Sequence, residues 1–362
     1  MRIGIDAREL CGRATGVGRY LSGLLQQWAV DPGARRHEFV LYAPTALAIA
    51  LDARRFATRI VGGPPGTWWE QIDLPRAAAA DHLEAWFAPG YTAPLRLTVP
   101  IVAAIHDLSF VAHPEWFRVR EGLRRRWVTQ QTATAAAAVV TISEFSKREL
   151  MERINVPAGK IHVIPPGITN PASAPPRQTA DRDANVLFVG SILNRRHVPD
   201  LIRAFAPIGR NRPGTALDIV GDNRTCPRED LRRTIESEGL LTIAQWHEYV
   251  SDEQLRDLYG RARAFAFLSE YEGLGLTPLE ALSAGVPAVL GDTDVAHESC
   301  GAAALYVPFG NLARTTRALE EVLFDESTRE RLLAAAPGVL ARYSWPKAAR
   351  ETLAVIEGVA AA

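Results

Sequence analysis

The chain has 362 residues, a length that exceeds what one hydrophobic core usually organises, so two domains are expected. Its 41 basic and 41 acidic residues give a formal net charge of zero, which argues against a strongly basic nucleic-acid-binding protein. Its three cysteines, Cys11, Cys226 and Cys300, lack metal-ligand or CxxC spacing, which predicts free thiols in a reducing compartment.

In the first half of the chain, short apolar strands alternate with amphipathic helices, a pattern that predicts a parallel sheet built from βαβ units. Arg2–Asp6 is the first predicted strand, and the sequence around it, MRIGIDAREL, lacks the apolar core of a signal peptide. The loop CGRATGVG then leads into a helix with an apolar stripe formed by Leu21, Leu24, Leu25 and Trp28. Ser143 is the predicted N-cap of a later helix. Further strands are predicted at His37–Tyr42, Ala85–Ala88, Ile101–Ile105 and Ala138–Ile142.

A second βαβ series follows a segment rich in Pro, Ala, Ser and Thr, which is typical of a linker. The predicted domains are residues 1–166 and 184–342, with a linker at 167–183 and a C-terminal helix at 343–362 that crosses back to the first domain. No run of about eighteen apolar residues is present, so we expect a soluble cytoplasmic protein. The predicted elements are strands at Asn185–Gly190, Leu217–Asp222, Ala264–Ser269 and Pro287–Asp292, and helices at Asp200–Phe205, at Asp252–Tyr259 and from Pro278.

The segment SEYEGLGLTPLEALSAG carries the strongest functional pattern. Glu272 follows a predicted strand, and seven residues separate it from Glu280. Because ligands of parallel sheets bind at the carboxyl ends of strands, we expect Glu272 to accept hydrogen bonds from ligand hydroxyls. Gly273 and Gly275 expose backbone N–H groups beside a helix N-terminus, which favours a phosphate or sugar hydroxyls.

Helix capping is the alternative explanation for Glu280. Thr277-Pro278-Leu279-Glu280 fits a capping box in which Thr277 is the N-cap and the Glu280 side chain reaches back to it. Gly285 and Pro287 then mark the end of that helix.

The E-x7-E spacing within EGLGLTPLEALSAGVPAV resembles the signature of family 4 retaining glycosyltransferases of the GT-B type. The resemblance covers nearly the whole chain and extends to bacterial polysaccharide mannosyl- and rhamnosyltransferases. It implies an α/β GT-B fold, in which two Rossmann-like domains with parallel sheets face a central cleft. The segments that carry it are GIDAREL, TGVGRY, HDLSFVAHPEWF, TISEFSKREL, IHVIPPGI, FVGSILNRRHVPDLIRAF, YVSDEQLRDLYGRARAF and YSWPKAARETL.

The resemblance implies a nucleotide-sugar donor site in the second domain. Glu272 would contact hydroxyls of the donor sugar, and Glu280 would contact the ribose. Val250 would contact the base through its backbone, although Ser251-x-x-Gln254 also fits a capping box. The backbone amides that would hold sugar and diphosphate are those of Gly273, Leu274, Gly275 and Leu276.

The resemblance also implies that two arginines bind the diphosphate. The family commonly has an Arg-Lys pair after the first strand of the second domain, and this chain has Arg195 and Arg196. Arg196 thus takes the lysine position, where it stays charged and can bind phosphate oxygens bidentately. Ser191 stands where many relatives have a basic residue. The alternative is a solvated basic loop that precedes a helix.

In the first domain, Gly16 and Gly18 precede a helix, but residue 21 is leucine, so the dinucleotide motif G-x-G-x-x-G is absent. The resemblance implies that this loop closes over the diphosphate and lines the acceptor pocket together with Arg19 and Tyr20. His106 and Asp107 follow a predicted strand. His106 is expected at the reacting centre, through its ring or its carbonyl, and Asp107 in the acceptor site; a structural histidine is the alternative.

The segment EWFRVREGLRRRW, Glu115–Trp127, mixes arginines with Trp116, Phe117 and Trp127. It predicts peripheral contact with an anionic membrane at the inner face, or with a lipid-diphosphate acceptor. The alternative is an exposed basic helix with buried aromatics. Trp68 and Trp69 either line the acceptor site or pack in the core.

The implied reaction is a metal-independent, retaining transfer by front-face substitution, without a carboxylate nucleophile and without a cofactor. The D-x-D string at Asp292 and Asp294 is discounted as a metal site because of its position after a strand. GDP-mannose is the favoured donor, ahead of UDP- and dTDP-sugars, and the acceptor is a saccharide or a lipid-linked saccharide. A nucleotide-sugar epimerase and a non-catalytic GT-B partner subunit remain alternatives.

Overall fold

A computed structural model describes residues 1–12, 16–171 and 184–361. The chain divides into two compact units, one formed by Met1–Gly167 with Tyr343–Ala362 and the other by Ile168–Arg342. Most of the predicted linker, residues 172–183, lies outside the described residues, as do residues 13–15 of the loop after the first strand.

Each unit contains one parallel sheet. Among the described residues, the strand order is β3-β2-β1-β4-β5-β6-β7 in the first unit and β10-β9-β8-β11-β12-β13 in the second. The strands of the first unit are β1 (Arg2–Asp6), β2 (Glu38–Ala43), β3 (Phe56–Ile60), β4 (Ala85–Ala88), β5 (Ile101–Ala104), β6 (Ala138–Thr141) and β7 (Ile161–Val163). Those of the second are β8 (Ala184–Val189), β9 (Thr215–Val220), β10 (Ala244–His247), β11 (Ala264–Phe267), β12 (Ala288–Gly291) and β13 (Ala304–Val307).

The α-helices connect successive strands of each sheet and close the chain. Their bounds are α1 (Gly16–Val30), α2 (Leu74–Ala78), α3 (Ser109–Ala112), α4 (Val119–Ala135), α5 (Glu144–Ile154), α6 (Val198–Asn211), α7 (Leu231–Ser237), α8 (Asp252–Arg261), α9 (Leu276–Ser283), α10 (Asp294–Cys300), α11 (Leu312–Phe324), α12 (Glu326–Leu340) and α13 (Trp345–Ala361). Within the described part of the chain, no helix has both the length and the apolar character needed to cross a membrane.

The two sheets share a doubly wound order that creates one switch point in each unit. β1 pairs with β2 on one side and β4 on the other, and β8 pairs in the same way with β9 and β11. The prediction of two parallel α/β domains is therefore confirmed. Connections leave β1 and β4, and likewise β8 and β11, toward opposite sides, so a crevice forms at their carboxyl ends, where ligands of such sheets bind.

Helix α13 completes the core of the first unit. Trp28 of α1 stacks on Phe39 of β2 with ring centroids 5.2 Å apart, and its Nε1 donates to the Ala349 carbonyl at 2.9 Å. Ile356 of α13 is fully buried in the same apolar cluster. The last helix of the chain thus packs with the first one, across most of the sequence.

The local signals at helix starts were correct in two of three places. Ser143 caps α5 by accepting from the Ser146 N–H, and Ser251 forms a capping box with Gln254 at α8. The capping box considered at Thr277, as the alternative role of Glu280, is wrong, because α9 begins at Leu276 after Gly275, whose φ of 85° is left-handed. Glu280 is then too far along the helix to reach the N-cap.

Candidate functional site

Arg196 and Glu272 meet at the switch point of the second unit. Arg196 lies in a 3-10 turn that follows β8, and Glu272 lies in the loop that follows β11. The guanidinium Nε and Nη2 lie 2.8 and 2.7 Å from Glu272 Oε1. The structure therefore brings together two residues that are 76 positions apart in the chain and that were both predicted for the donor site.

Two further contacts fix the Arg196 side chain. Its Nη1 donates to the Ser191 carbonyl at 2.8 Å, and its guanidinium carbon lies 4.9 Å from the centroid of the Phe267 ring. The backbone N–H of Glu270 donates to the Arg195 carbonyl at 2.9 Å, which ties the two loops together. The cation is thus mostly buried, oriented and supported before any ligand binds.

Glu272 contacts its surroundings through one of its two carboxylate oxygens. Oε1 accepts from Ser269 Oγ at 2.8 Å in addition to Arg196. No hydrogen bond among the described residues engages Oε2. The carboxylate borders an open hollow whose lining includes Leu274, Gly275 and Thr293.

The N-terminus of α9 opens beside Glu272. No side chain caps this helix, because its N-cap position is Gly275, which adopts the left-handed backbone without strain. The first N–H groups of the helix, from Leu276 onward, are therefore free of a side-chain cap and carry the positive end of the helix dipole. The backbone amides predicted to contact sugar and diphosphate, those of Gly273 to Leu276, thus lie at or just before the start of this helix.

The other predicted donor residues lie farther from the switch point. Glu280 is half-buried in the second turn of α9. Val250 lies in the loop between β10 and α8, and β10 is the edge strand three positions from β11.

In the first unit, His106 follows β5 and is only 7% exposed. Its Nε2 lies 2.8 Å from the Pro89 carbonyl, and the edges of Tyr20 and Tyr91 pack against the ring. Burial lowers the pKa of His106, against smaller opposing effects of the Pro89 carbonyl and Asp107. Because a carbonyl can only accept, Nε2 carries the proton of the neutral ring and Nδ1 is an acceptor. The His106 carbonyl accepts from Ser146 Oγ at 2.8 Å, so the ring is the part that suits a ligand.

Asp107 is anchored by the fold on both oxygens. Oδ2 accepts from the Tyr91 hydroxyl at 2.7 Å, and Oδ1 accepts from the Ser109 N–H at 2.9 Å. Tyr91, with a φ of 66°, was missed by the sequence analysis. The sequence signal for it is an aromatic residue three positions after β4, a strand that borders the switch point.

The predicted acceptor contact of Tyr20 does not fit the structure. Tyr20 is only 3% exposed and lies in the core between His106 and α13, with its hydroxyl toward Thr352. Its place on the buried face of α1 follows from the helical period, since it precedes Leu21 and lies four residues before Leu24. Arg19, on the opposite face, is exposed, as is Gly16, whereas Gly18 is buried.

Trp69 packs in the core, so the acceptor role considered for it is wrong. It is fully buried, and its Nε1 donates to the Val61 carbonyl at 2.7 Å. Its ring supports Arg8, which lies 5.0 Å away and pairs with Glu70 at 2.6 Å. Sequence analysis missed this half-buried arginine, which follows β1 and also pairs with Asp6.

The D-x-D string has an ordinary structural role. Asp292 pairs with His297 of α10 at 2.8 Å, and Asp294 lies in the first turn of that helix. Across residues 1–12, 16–171 and 184–361, no cluster of three or more His, Cys, Asp or Glu side chains is arranged to hold a metal ion.

Two family models match the chain in succession. The model described as Glycosyltransferase Family 4 matches residues 14–169, and the model described as Glycosyl transferases group 1 matches residues 172–338. The first match spans most of the first unit, and the second spans nearly all of the unit that carries Arg196 and Glu272.

Three relatives of known name are 25–29% identical to the chain over the aligned residues. The O-antigen chain mannosyltransferase B of Escherichia coli is 25% identical over 279 residues, which are 74% of this chain and 72% of that protein. The alpha-D-kanosaminyltransferase of Streptomyces kanamyceticus is 27% identical over 68% of each chain. The GDP-mannose:cellobiosyl-diphosphopolyprenol alpha-mannosyltransferase of Komagataeibacter xylinus is 29% identical over 65% of this chain and 58% of that protein.

Solved structures share the fold over the full length. A sucrose-phosphate synthase from Thermosynechococcus elongatus superposes with a TM-score of 0.79 at 17% identity and covers 99% of both chains. WaaG, a glycosyltransferase involved in lipopolysaccharide biosynthesis, gives 0.75 at 16% identity and covers 99% of this chain and 100% of its own. The chain therefore belongs to the group 1, family 4 glycosyltransferases and has the GT-B fold.

Proposed function

We propose that this chain, a glycosyltransferase of glycoconjugate biosynthesis, transfers a hexosyl group from a nucleotide sugar with retention of anomeric configuration. The proposed acceptor is a saccharide or a lipid-linked saccharide. The observation that carries the proposal is the pairing of Arg196 with Glu272 at the switch point, 2.7 Å apart. A cation suited to a diphosphate and a carboxylate suited to sugar hydroxyls thus occupy one point of the sheet edge.

The strand order supports an extended donor along this edge. The loop with Val250 follows β10, Arg195 and Arg196 follow β8, and Glu272 follows β11. At about 4.8 Å per strand, the distance from β10 to β11 is about 14 Å. An extended nucleotide sugar would place its base near Val250, its diphosphate at the arginines and its sugar at Glu272, with Glu280 available to the ribose.

Glu272 is proposed to bind the sugar rather than to attack it. Arg196 and Ser269 already direct three donor atoms at Oε1, which lowers the nucleophilicity of the carboxylate. In the proposed front-face reaction, the bond from the anomeric carbon to the diphosphate oxygen breaks. The acceptor oxygen bonds to that carbon on the same face, and its proton passes to the departing phosphate.

The chain's own residues are proposed to stabilise the charge that develops. Arg195 and Arg196, with the N-terminus of α9, would neutralise the diphosphate as it leaves, so that no metal ion is needed. The neutral His106 ring would accept a hydrogen bond from the donor sugar through Nδ1. The loop with Gly16, Gly18 and Arg19 would line the acceptor side together with Asp107.

GDP-mannose is the favoured donor. The Escherichia coli relative is named as a mannosyltransferase, and the name of the Komagataeibacter xylinus relative specifies GDP-mannose. The Streptomyces relative is named for a different sugar, so UDP- and dTDP-sugars belong in the test.

A donor screen with product analysis tests the proposal. The purified chain is incubated with GDP-mannose, UDP-glucose or dTDP-rhamnose, with mannoside acceptors and with EDTA in parallel. We expect GDP release from GDP-mannose, an α-linked product by NMR and undiminished activity with EDTA. A β-linked product from GDP-mannose, whose sugar is α-linked to the diphosphate, would contradict retention, and activity lost with EDTA and restored by manganese would contradict metal independence. Conversion of the donor sugar without acceptor would indicate an epimerase, and no turnover with any donor would favour a non-catalytic partner.

A further inference from the structure

Helix α4 presents an apolar stripe to solvent. Val119, Leu123 and Trp127 follow one another at four-residue intervals, so they lie on one face of the helix. Their exposed fractions are 76%, 58% and 60%. Single exposed apolar residues are common, but a continuous exposed stripe marks an interaction surface.

A second tryptophan lies beside this stripe. Trp68 is 72% exposed and directly follows Thr67, whose Oγ1 accepts from Arg124 Nη1 of α4 at 2.7 Å. Two exposed indoles, Trp68 and Trp127, thus flank a hydrogen bond that joins segments 57 residues apart. The alternative of an exposed basic helix with buried aromatic residues is therefore wrong for Trp127. The other two aromatic residues of the segment are half-buried: Trp116, which stacks on His113, and Phe117.

Cations border the apolar stripe. Residues 118–127 contain five arginines and one glutamate, in a chain whose net charge is zero. Arg120 and Arg124 are exposed, and neither takes part in an ion pair within the described part of the chain. By contrast, Arg125 pairs with Glu121 at 2.7 Å, and Arg126 points inward to the carbonyls of Phe110 and Val111.

We propose that Trp68, Val119, Leu123, Trp127, Arg120 and Arg124, here called the α4 surface, dock the protein onto an anionic lipid bilayer. Indole and aliphatic side chains partition into the boundary between headgroups and acyl chains, while the flanking guanidinium groups pair with anionic headgroups. This charge complementarity favours a bilayer over a second protein. The inference does not rest on the donor site, because the α4 surface belongs to the first unit.

Co-sedimentation with vesicles tests the docking. Vesicles of phosphatidylcholine with phosphatidylglycerol, and of phosphatidylcholine alone, are used without any lipid-linked saccharide. We expect the wild-type protein to prefer the anionic vesicles and to lose affinity as salt is raised. Leu123→Glu with Trp127→Glu, and Arg120→Glu with Arg124→Glu, are each expected to weaken binding by about tenfold or more.

Matched controls come from the second unit. Leu241→Glu changes a residue that is 66% exposed, and Arg233→Glu with Arg256→Glu removes two exposed arginines. Both controls are expected to bind vesicles like the wild type. The proposal is wrong if the wild type binds anionic vesicles no better than neutral ones, or if the α4 variants bind like the controls. Self-association on size-exclusion chromatography without vesicle binding would also overturn it, in favour of a protein interface.

Two further measurements separate docking from folding and from catalysis. In the unmodified protein, brominated lipids in anionic vesicles are expected to quench tryptophan fluorescence, so the test does not depend on any variant folding. In the absence of vesicles, the α4 variants should keep wild-type melting temperatures and wild-type donor binding. A lack of vesicle quenching would therefore contradict the docking while leaving the proposed donor site intact.

Discussion

Arg196 takes the position of a lysine in the commoner family pattern, and its surroundings suit a guanidinium. Nε and Nη2 face Glu272, Nη1 reaches the Ser191 carbonyl, and the planar group lies over Phe267. A lysine ammonium could pair with Glu272 but could not fill all of these positions at once.

Arg196→Lys is therefore expected to lower kcat/KM for the nucleotide sugar by about 30-fold or more, the effect of about 2 kcal/mol from lost charge-assisted hydrogen bonds. Steady-state kinetics measure this effect. Arg203→Lys, at an exposed position of α6 where the arginine pairs with Asp200, is the matched control and should remain within about twofold of wild type. A change of less than about twofold for Arg196→Lys would show that charge alone matters at this position.

Because His106 is buried, we expect the free energy of unfolding to depend on pH. Because burial lowers the pKa of this ring, the unfolded chain takes up a proton at a higher pH than the folded chain does. The stability linked to the neutral ring is present above the ordinary histidine pKa of about 6.5 and is lost as the pH falls below it. We expect the free energy of unfolding to fall by up to about 1.4 kcal/mol per pH unit from this group.

Urea unfolding at pH 7.5, 6.5 and 5.5 measures that slope. His106→Gln should flatten it, while His162→Gln, at an exposed position on β7, should not. Part of the slope will remain in His106→Gln, because burial also lowers the pKa of His37. An unchanged slope in His106→Gln would mean that His106 is not neutral in the folded state.

At the scale of elements, α13 carries a clear stability prediction. Ile356 is fully buried in the core of the first unit, so Ile356→Ala is expected to lower the free energy of unfolding by about 2–5 kcal/mol. Lys347→Ala, at an exposed position of the same helix, should change it by less than about 0.5 kcal/mol. Chemical denaturation of both variants checks the difference, and equal stabilities would show that α13 is not part of this core.

The strands that sequence reasoning missed share one physical property. β3, β7, β10 and β13 are the edge strands of the two sheets, and each has residues that are partly or fully exposed. Central strands such as β4, β5 and β6 are buried throughout and therefore have the continuous apolar runs that a parallel sheet predicts. Edge strands lack this pattern, so composition alone does not reveal them.

At the scale of the whole molecule, the sequence predicted two parallel α/β domains and placed most central strands within one or two residues. The family resemblance implied one donor site for Arg196 and Glu272, and in the structure both residues follow neighbouring strands of a doubly wound sheet. It could not predict Ser191, Ser269 and Phe267 as supports of that pair, since these contacts depend on loop geometry. It also misplaced Tyr20, whose burial depends on where α1 packs, and the N-cap of α9, which is Gly275 and not Thr277.

The central claim is that Arg196 and Glu272 form a donor site in which Arg196 binds the diphosphate and Glu272 binds the sugar. Isothermal titration of GDP and of GDP-mannose tests it most directly, with Glu270→Ala as the control carboxylate in the same loop, facing His197 instead. Arg196→Ala is expected to weaken both ligands, whereas Glu272→Ala should weaken GDP-mannose by about tenfold or more and leave GDP nearly unchanged. Binding of GDP-mannose to Glu272→Ala with wild-type affinity would contradict the account.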